Sequence, residues 1–138
     1  MPWIADLHIH SHFSIATSRE LVPEHLDFQA RRKGIRLVGT GDATHPGWLT
    51  ELTEKLVPAA GGLYSLRPEL RLDRPLPEGV DSRDSPLFMV TAEISTIYKR
   101  DGRVRKVHHL VLLSGIEAAR RLQPVSYTHL TLPTKRIV

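Results

Sequence analysis

The stretch "DLHIHSHFS", residues 6 to 14, sets His8, His10 and His12 on alternate positions. Successive side chains of an extended strand point to opposite faces, so His8 and His10 face the same way, one pleat apart. Two imidazoles on one face make half of a metal site. More donors follow downstream. "GTGDATH" carries Asp42 and His45, "TAEIS" carries Glu93 within an otherwise apolar run, and "KVHHLVLL" carries His108 and His109. A carboxylate in such a run needs a partner, because an unpaired buried charge is costly. A metal ion is one such partner; an arginine is the other. For an isolated His-x-His the plain alternative is a surface strand with scattered histidines. Asp42 and Glu93 tip the balance toward a metal.

The chain has no cysteine, so any metal is held by nitrogen and oxygen, a donor set suited to Zn²⁺, Mn²⁺ or Fe²⁺. The same absence excludes disulfides and fits a reducing, cytoplasmic setting. No apolar run approaches the roughly 18 residues of a membrane span, so no membrane partner is expected. No charged-then-apolar leader precedes the first strand. At 138 residues the chain is long enough for one domain with its own core. Its formal charge of +4 falls to +2 without Lys135 and Arg136, too little to argue for nucleic acid by itself.

The elements that must position these donors follow from periodicity. Residues 3–10 alternate and are expected to form a strand. Residues 18–34 suit a helix: Ser18 or Thr17 as cap, Pro23 in the first turn, Leu26 and Ala30 on one face, and Gly34 as the stop. "IRLVGT", 35–40, is a short apolar strand, which completes a βαβ unit and predicts a parallel sheet. "GDATHPGW" is expected as a loop and 49–56 as a short helix. Residues 57–86 are rich in Pro, Gly and Asp and are expected to be irregular, with a short helix hidden among them. "LFMVTAEISTIYK" and "VRKVHHLVLL", joined by "RDGR" with its Asp-Gly turn signal, predict a hairpin. "GIEAARRL" begins a last helix. Parallel α/β sheets place ligands at the carboxyl ends of their strands, where His8, His10, Asp42 and His45 fall.

In sequence the chain resembles the polymerase and histidinol phosphatase (PHP) superfamily. "HIHS" matches its first motif at His8, His10 and Ser11. Asp42 matches the second motif, Thr-Asp-His, although "TGDATH" departs from it because the histidine does not follow directly. Glu93 matches the third, followed by a strand histidine at His108 or His109. "HSHFSIATS", "GTGDATHPGW", "GLYSL", "TAEISTIYKRDGRVRKVHHLVLL" and "IEAARRL" together resemble its endonuclease Q branch, over roughly residues 3–123.

The resemblance implies the N-terminal part of an incomplete, distorted (β/α)₇ TIM-like barrel, an α/β fold, holding two or three divalent metal ions, zinc foremost. It implies a metal-dependent phosphodiesterase that nicks DNA 5′ to deaminated bases or abasic sites, with such DNA as partner. His8, His10, Asp42, Glu93 and His108 are then the metal ligands, and Asp42 and Glu93 the catalytic carboxylates. The branch pattern Lys-x-His, matched by Lys106-Val107-His108, favours His108. The superfamily habit of a histidine just before an apolar run favours His109. Cross-strand register decides between them. The hairpin tip, with Lys99, Arg100, Arg103, Arg105 and Lys106, is expected to meet a phosphate backbone, its plain alternative being a solvated turn. A phosphomonoesterase of the histidinol phosphatase type would share the ligands but lack this hairpin. A non-catalytic metal-binding domain is the third alternative.

The superfamily's late Asp-x-His is not found after residue 110. "VSYTHL" through "TLPT" resembles translated library-adapter sequence. The expected division is therefore 1–124 as the N-terminal part of a PHP domain and 125–138 as a loosely packed, non-native tail. Such a chain is expected to hold an incomplete metal cluster and to be inactive alone.

Overall fold

The computed structural model describes residues 3–14, 17–80 and 85–128. Its centre is a five-stranded sheet in the order β1 (Ala5–Asp6), β2 (Leu37–Gly39), β5 (Leu87–Met89), β4 (Tyr64–Leu66), β3 (Leu56–Pro58). β1, β2 and β5 run parallel, and β4 and β3 are added antiparallel. The parallel strands send their carboxyl ends to one edge, and the histidines and acids follow from there. The fold is thus mixed α/β. The first strand is much shorter than its alternating pattern: only Ala5 and Asp6 pair with Leu37 and Val38.

Helix α1 (Pro23–Lys33) starts five residues later than its capping signal suggests. Ser18 caps a local turn instead, its hydroxyl accepting from the Glu20 amide at 3.1 Å, while Leu21 N–H bonds back to Ser18 O. Pro23 then opens the helix at the position where its missing N–H is harmless. Gly34 ends it at φ 75°, donating to Ala30 and Arg31 carbonyls, the left-handed stop its composition predicts. Helix α2 (Pro46–Lys55) starts three residues earlier than expected, because His45 caps it: His45 Nδ1 accepts from the amides of Gly47 and Trp48 at 3.1 and 3.4 Å.

The expected irregular stretch contains β3, β4 and a 3₁₀ turn at Pro68–Leu70. β4 pairs with β5 at Tyr64 and Phe88, so this segment extends the sheet. The core lies between sheet and helices. Trp48, Leu52 and Phe88 are fully buried there, with Val38, Leu49, Leu56 and Val90 around them.

The long strand expected from residue 87 breaks at Val90. β5 stays in the sheet, and β6 (Thr91–Arg100) leaves to pair with β7 (Arg103–Leu112) as a separate antiparallel ribbon. Asp101 and Gly102 both have positive φ, 53° and 73°, the two-residue turn that matches the twist of a hairpin. Helix α3 (Ile116–Thr128) buries Ile116 and Ala119. Its backbone runs past residue 124; the expected loose packing of residues 129–138 lies outside the described residues. Among the described residues no helix is long and apolar enough to cross a membrane.

Candidate metal centre

Two glycines and two threonines bring the donors together. The chain after β1 crosses the end of β2 so closely that a Cβ at Gly39 would lie 2.4 Å from Leu7 O. A Cβ at Gly41 would lie 2.1 Å from Ile9 O, and Gly41 also has φ 63°. Only glycine fits at Gly41 on both counts. Thr40 and Thr91, both fully buried, link β2 to the start of β6. Thr91 N–H donates to Thr40 Oγ1 at 3.2 Å, and Gly41 N–H donates to Thr91 Oγ1 at 2.9 Å. Thr91 Oγ1 reaches Leu7 O at 3.3 Å. His8 therefore stands one residue from a point fixed to Thr91, and Glu93 two residues beyond it.

The result is a carboxylate among three imidazoles. Glu93 Oε2 lies 2.5 Å from His8 Nε2 and 3.2 Å from His10 Nε2. Glu93 Oε1 contacts His108 Nδ1. The ligand atoms of His8, His10 and Glu93 all lie within 4.8 Å of one another. The Glu93 side chain is 16% exposed and the three imidazoles about half exposed, so the cluster opens to solvent on one side. His8 above all, with His108 and His10, holds the Glu93 carboxyl below its usual pKa, against an opposing push from burial. That preference for the charged form is what a cation needs.

Asp42 is set back from this cluster. Its Oδ2 accepts from Ser11 N–H at 2.7 Å and from the hydroxyls of Ser11 and Ser14, each at 2.6 Å. Its Oδ1 lies 3.3 Å from His10 Nδ1. Burial pushes the Asp42 carboxyl up, but Ser11, Ser14 and His10 outweigh it and hold the pKa below the usual value. Asp42, expected as a ligand and a catalytic group, stands behind His10 with its oxygens engaged by the turn that follows the histidine motif. A carboxylate on one imidazole nitrogen fixes the tautomer and leaves the other nitrogen free for a metal. His10 Nε2, turned toward Glu93, is that nitrogen.

The remaining histidines fall elsewhere. His109 meets Thr96 Oγ1 at 3.2 Å on the other side of the ribbon. His45 caps α2. His12 Nε2 pairs with Glu51 Oε1 at 2.8 Å. Glu51 in turn pairs with Lys55, which also reaches Glu24. Sequence reasoning missed Ser14, Thr40, Thr91 and the two glycines. The "GTG" preceding Asp42 was a readable signal of close backbone approach; the threonine link between residues far apart in sequence had none.

Two solved structures align with most of the chain. One is endonuclease Q in complex with a 27-mer duplex substrate carrying an abasic lesion at the active site. It is 31% identical, over 87% of this chain and 24% of that one, with a TM-score of 0.61. The other is the lesion-specific endonuclease PfuEndoQ from Pyrococcus furiosus, 29% identical over 95% of this chain and 28% of that one, with a TM-score of 0.63. This chain is endonuclease Q-like. It spans about a quarter of the endonuclease Q chains it matches. A stretch of 49 residues is 45% identical to the uncharacterized protein MJ0043 of Methanocaldococcus jannaschii, covering 36% of this chain and 6% of that protein. No family model matches the chain. The likeness to endonuclease Q thus rests on shared sequence as well as shared fold.

Proposed function

We propose that this chain carries part of the active site of a metal-dependent endodeoxyribonuclease that nicks DNA 5′ to deaminated bases and abasic sites. The observation that carries the reading is Glu93 enclosed by His8, His10 and His108, with Asp42 behind His10. These nitrogen and oxygen donors fit zinc, with manganese or iron as substitutes. His8 and His10 flank one oxygen of Glu93 and His108 the other, so these four side chains would hold a divalent ion were one bound. A divalent ion held there supplies Lewis-acid activation of a water and charge stabilisation at the phosphoryl oxygens. Glu93 and the imidazoles bind; Asp42 orients His10 and keeps its proton on Nδ1. On this reading the sheet is the N-terminal part of a PHP barrel, residues 1–124 form that part, and residues 125–138 lie outside it.

A damaged base leaves its stack more cheaply than a paired one, which suits a site open on one side. The four donors fall short of a full two- or three-ion set, so this chain alone is expected to bind metal but turn over little. The test grafts it in place of the matching quarter of PfuEndoQ. The folded, metal-loaded chimera should nick an abasic or uracil-containing duplex 5′ to the lesion, and Glu93→Gln should abolish nicking. A folded, metal-loaded chimera that leaves DNA intact but hydrolyses a small phosphomonoester would replace this reading with a phosphatase.

A further inference from the structure

The β6–β7 ribbon carries its cations on two faces. Strand residues alternate between faces, and directly opposed residues share one. The pairs Glu93–Leu110, Ser95–His108, Ile97–Lys106 and Lys99–Val104 therefore lie on the metal side. The pairs Ile94–His109, Thr96–Val107, Tyr98–Arg105 and Arg100–Arg103 lie on the other. Of the five cations expected at the tip, Lys99 and Lys106 share the face of Glu93, and Arg100, Arg103 and Arg105 lie on the other.

Outward from the metal ligands, each of the next two rungs pairs one lysine with one branched apolar residue, and the lysine changes strand between them. Ile97 and Val104 are 53% and 65% exposed, far more than a structural strand face requires. Between Ile94 and Leu110 the ribbon has five lysines and arginines against the single acid Asp101. An exposed face with regularly spaced cations, continuous with a phosphodiesterase centre, is complementary to a polyanionic strand.

We propose that the metal-side face of the ribbon is a track for one DNA strand leaving the metal centre: Lys106 and Lys99 take backbone phosphates about two nucleotides apart, and Ile97 and Val104 rest against the sugars between them. The proposal deepens the endonuclease reading and rests on it. At about 3.3 Å per residue, the two lysine rungs stand roughly 13 and 20 Å from Glu93 along the ribbon. At about 3.4 Å of duplex rise per nucleotide, they meet phosphates roughly four and six nucleotides from the scissile bond. On the opposite face Thr96, Tyr98, Arg100, Val107 and His109 line a hollow of about 700 Å³ whose edge Lys99 also reaches; the track follows the other face, on which the backbone register sets Lys99 and Lys106.

The experiment measures binding of this chain to an abasic-site duplex by fluorescence anisotropy, in EDTA so that no cleavage occurs. Single methylphosphonate substitutions are scanned along both strands. Two sensitive positions about two nucleotides apart are expected, each weakening binding severalfold. The double variant K99A/K106A should lose both sensitivities and reduce the salt slope by about two, since each lysine–phosphate contact contributes about one. The triple variant R100A/R103A/R105A should keep both sensitivities. If the sensitivities survive K99A/K106A and vanish in the arginine variant, the strand runs on the other face and the proposal is overturned. Absence of any sensitive position overturns it as well. Circular dichroism confirms that both variants fold. Failure of the chimera to nick DNA, with this binding pattern intact, would instead reject the endonuclease reading alone.

Discussion

Ser95 and His108 stand directly opposite each other across the β6–β7 ribbon. Ser95 is two residues from Glu93, so this register places His108 on the face of Glu93 and turns His109 away. Replacing His108 with alanine removes a donor that touches the Glu93 carboxylate. Zinc affinity measured by calorimetry should fall on the order of 100-fold, at the upper end of what loss of a supporting partner alone produces. His109→Ala should leave it near wild type, because His109 meets Thr96 on the side of the ribbon away from Glu93. The reverse order of the two variants would show that the ribbon is paired one residue out of register.

Gly34 and Gly41 both have left-handed backbone, at φ 75° and 63°, yet they differ in surroundings. A Cβ on Gly34 meets nothing within 4 Å, whereas one on Gly41 meets Ile9 O at 2.1 Å. Gly34→Ala should therefore lower stability by about 1 kcal/mol, the backbone strain alone. Gly41→Ala adds a clash with backbone that cannot swing aside, and should lower stability by on the order of 3 kcal/mol or more. It should also weaken metal binding, since the displaced segment carries His8 and His10. Urea unfolding and calorimetry on the same samples check both statements.

The grouping of His8, His10 and Glu93 was legible because the parallel strands point their carboxyl ends one way. His8 and His10 leave the carboxyl end of β1 and Glu93 follows β5, a parallel strand of the same sheet with β2 between them, so sheet direction brings them to one edge. The break at Val90 was not legible. It depends on Thr40 and Thr91, whose hydroxyls exchange bonds with backbone amides in the interior, and nothing local distinguishes them from any strand threonine. The same holds for the ribbon's cations: all cluster at the tip in sequence, but only the pairing places Lys99 and Lys106 on the same face of the ribbon as Glu93. The helix starts were misplaced because Ser18 caps a turn ahead of α1 and the His45 ring caps α2, choices that composition does not reveal.

Lys55 joins the histidine loop to both helices, holding Glu24 at 2.8 Å and Glu51 at 3.1 Å, while Glu51 holds His12. Burial pushes the Lys55 pKa down, but its two carboxylate partners outweigh this and raise it above the usual value. A raised pKa in the folded state means that folding favours the protonated form. The stabilisation is therefore fully present below about pH 10.4, the unfolded value for lysine, and fades as the pH rises through the higher folded value. Lys55→Met should lower stability at pH 7 by about 1 kcal/mol, as for a partly exposed ion pair. Thermal melts of both proteins from pH 7 to 11.5 should keep a constant gap that narrows only at the alkaline end. A gap that closes already near pH 8 would mean that the stabilisation does not come from protonated Lys55.

Asp42→Asn tests the tautomer of His10. In the native side chain, Oδ2 accepts three hydrogen bonds from Ser11 and Ser14, and Oδ1 faces His10 Nδ1 at 3.3 Å. Asparagine keeps one carbonyl oxygen, which can take over the three bonds from the serines and hold the turn in place. The amide nitrogen must then face His10 Nδ1. Two N–H donors cannot face each other, so the imidazole moves its proton to Nε2 and accepts at Nδ1. Nε2 is the atom turned toward Glu93, and once protonated it has no lone pair for a metal. Fold stability should change little, because every buried donor keeps an acceptor. Zinc affinity should fall about 10- to 100-fold, the range for losing a carboxylate that orients a metal-binding histidine. Nitrogen-15 chemical shifts of the His10 ring read the tautomer directly: protonated at Nδ1 in the wild type, at Nε2 in the variant. Asp42→Ala is the contrasting variant. It leaves three donors without an acceptor and should loosen the histidine loop, lowering stability as well as affinity. If Asp42→Asn binds zinc as tightly as the wild type with the ring still protonated at Nδ1, Asp42 does not set the orientation of His10.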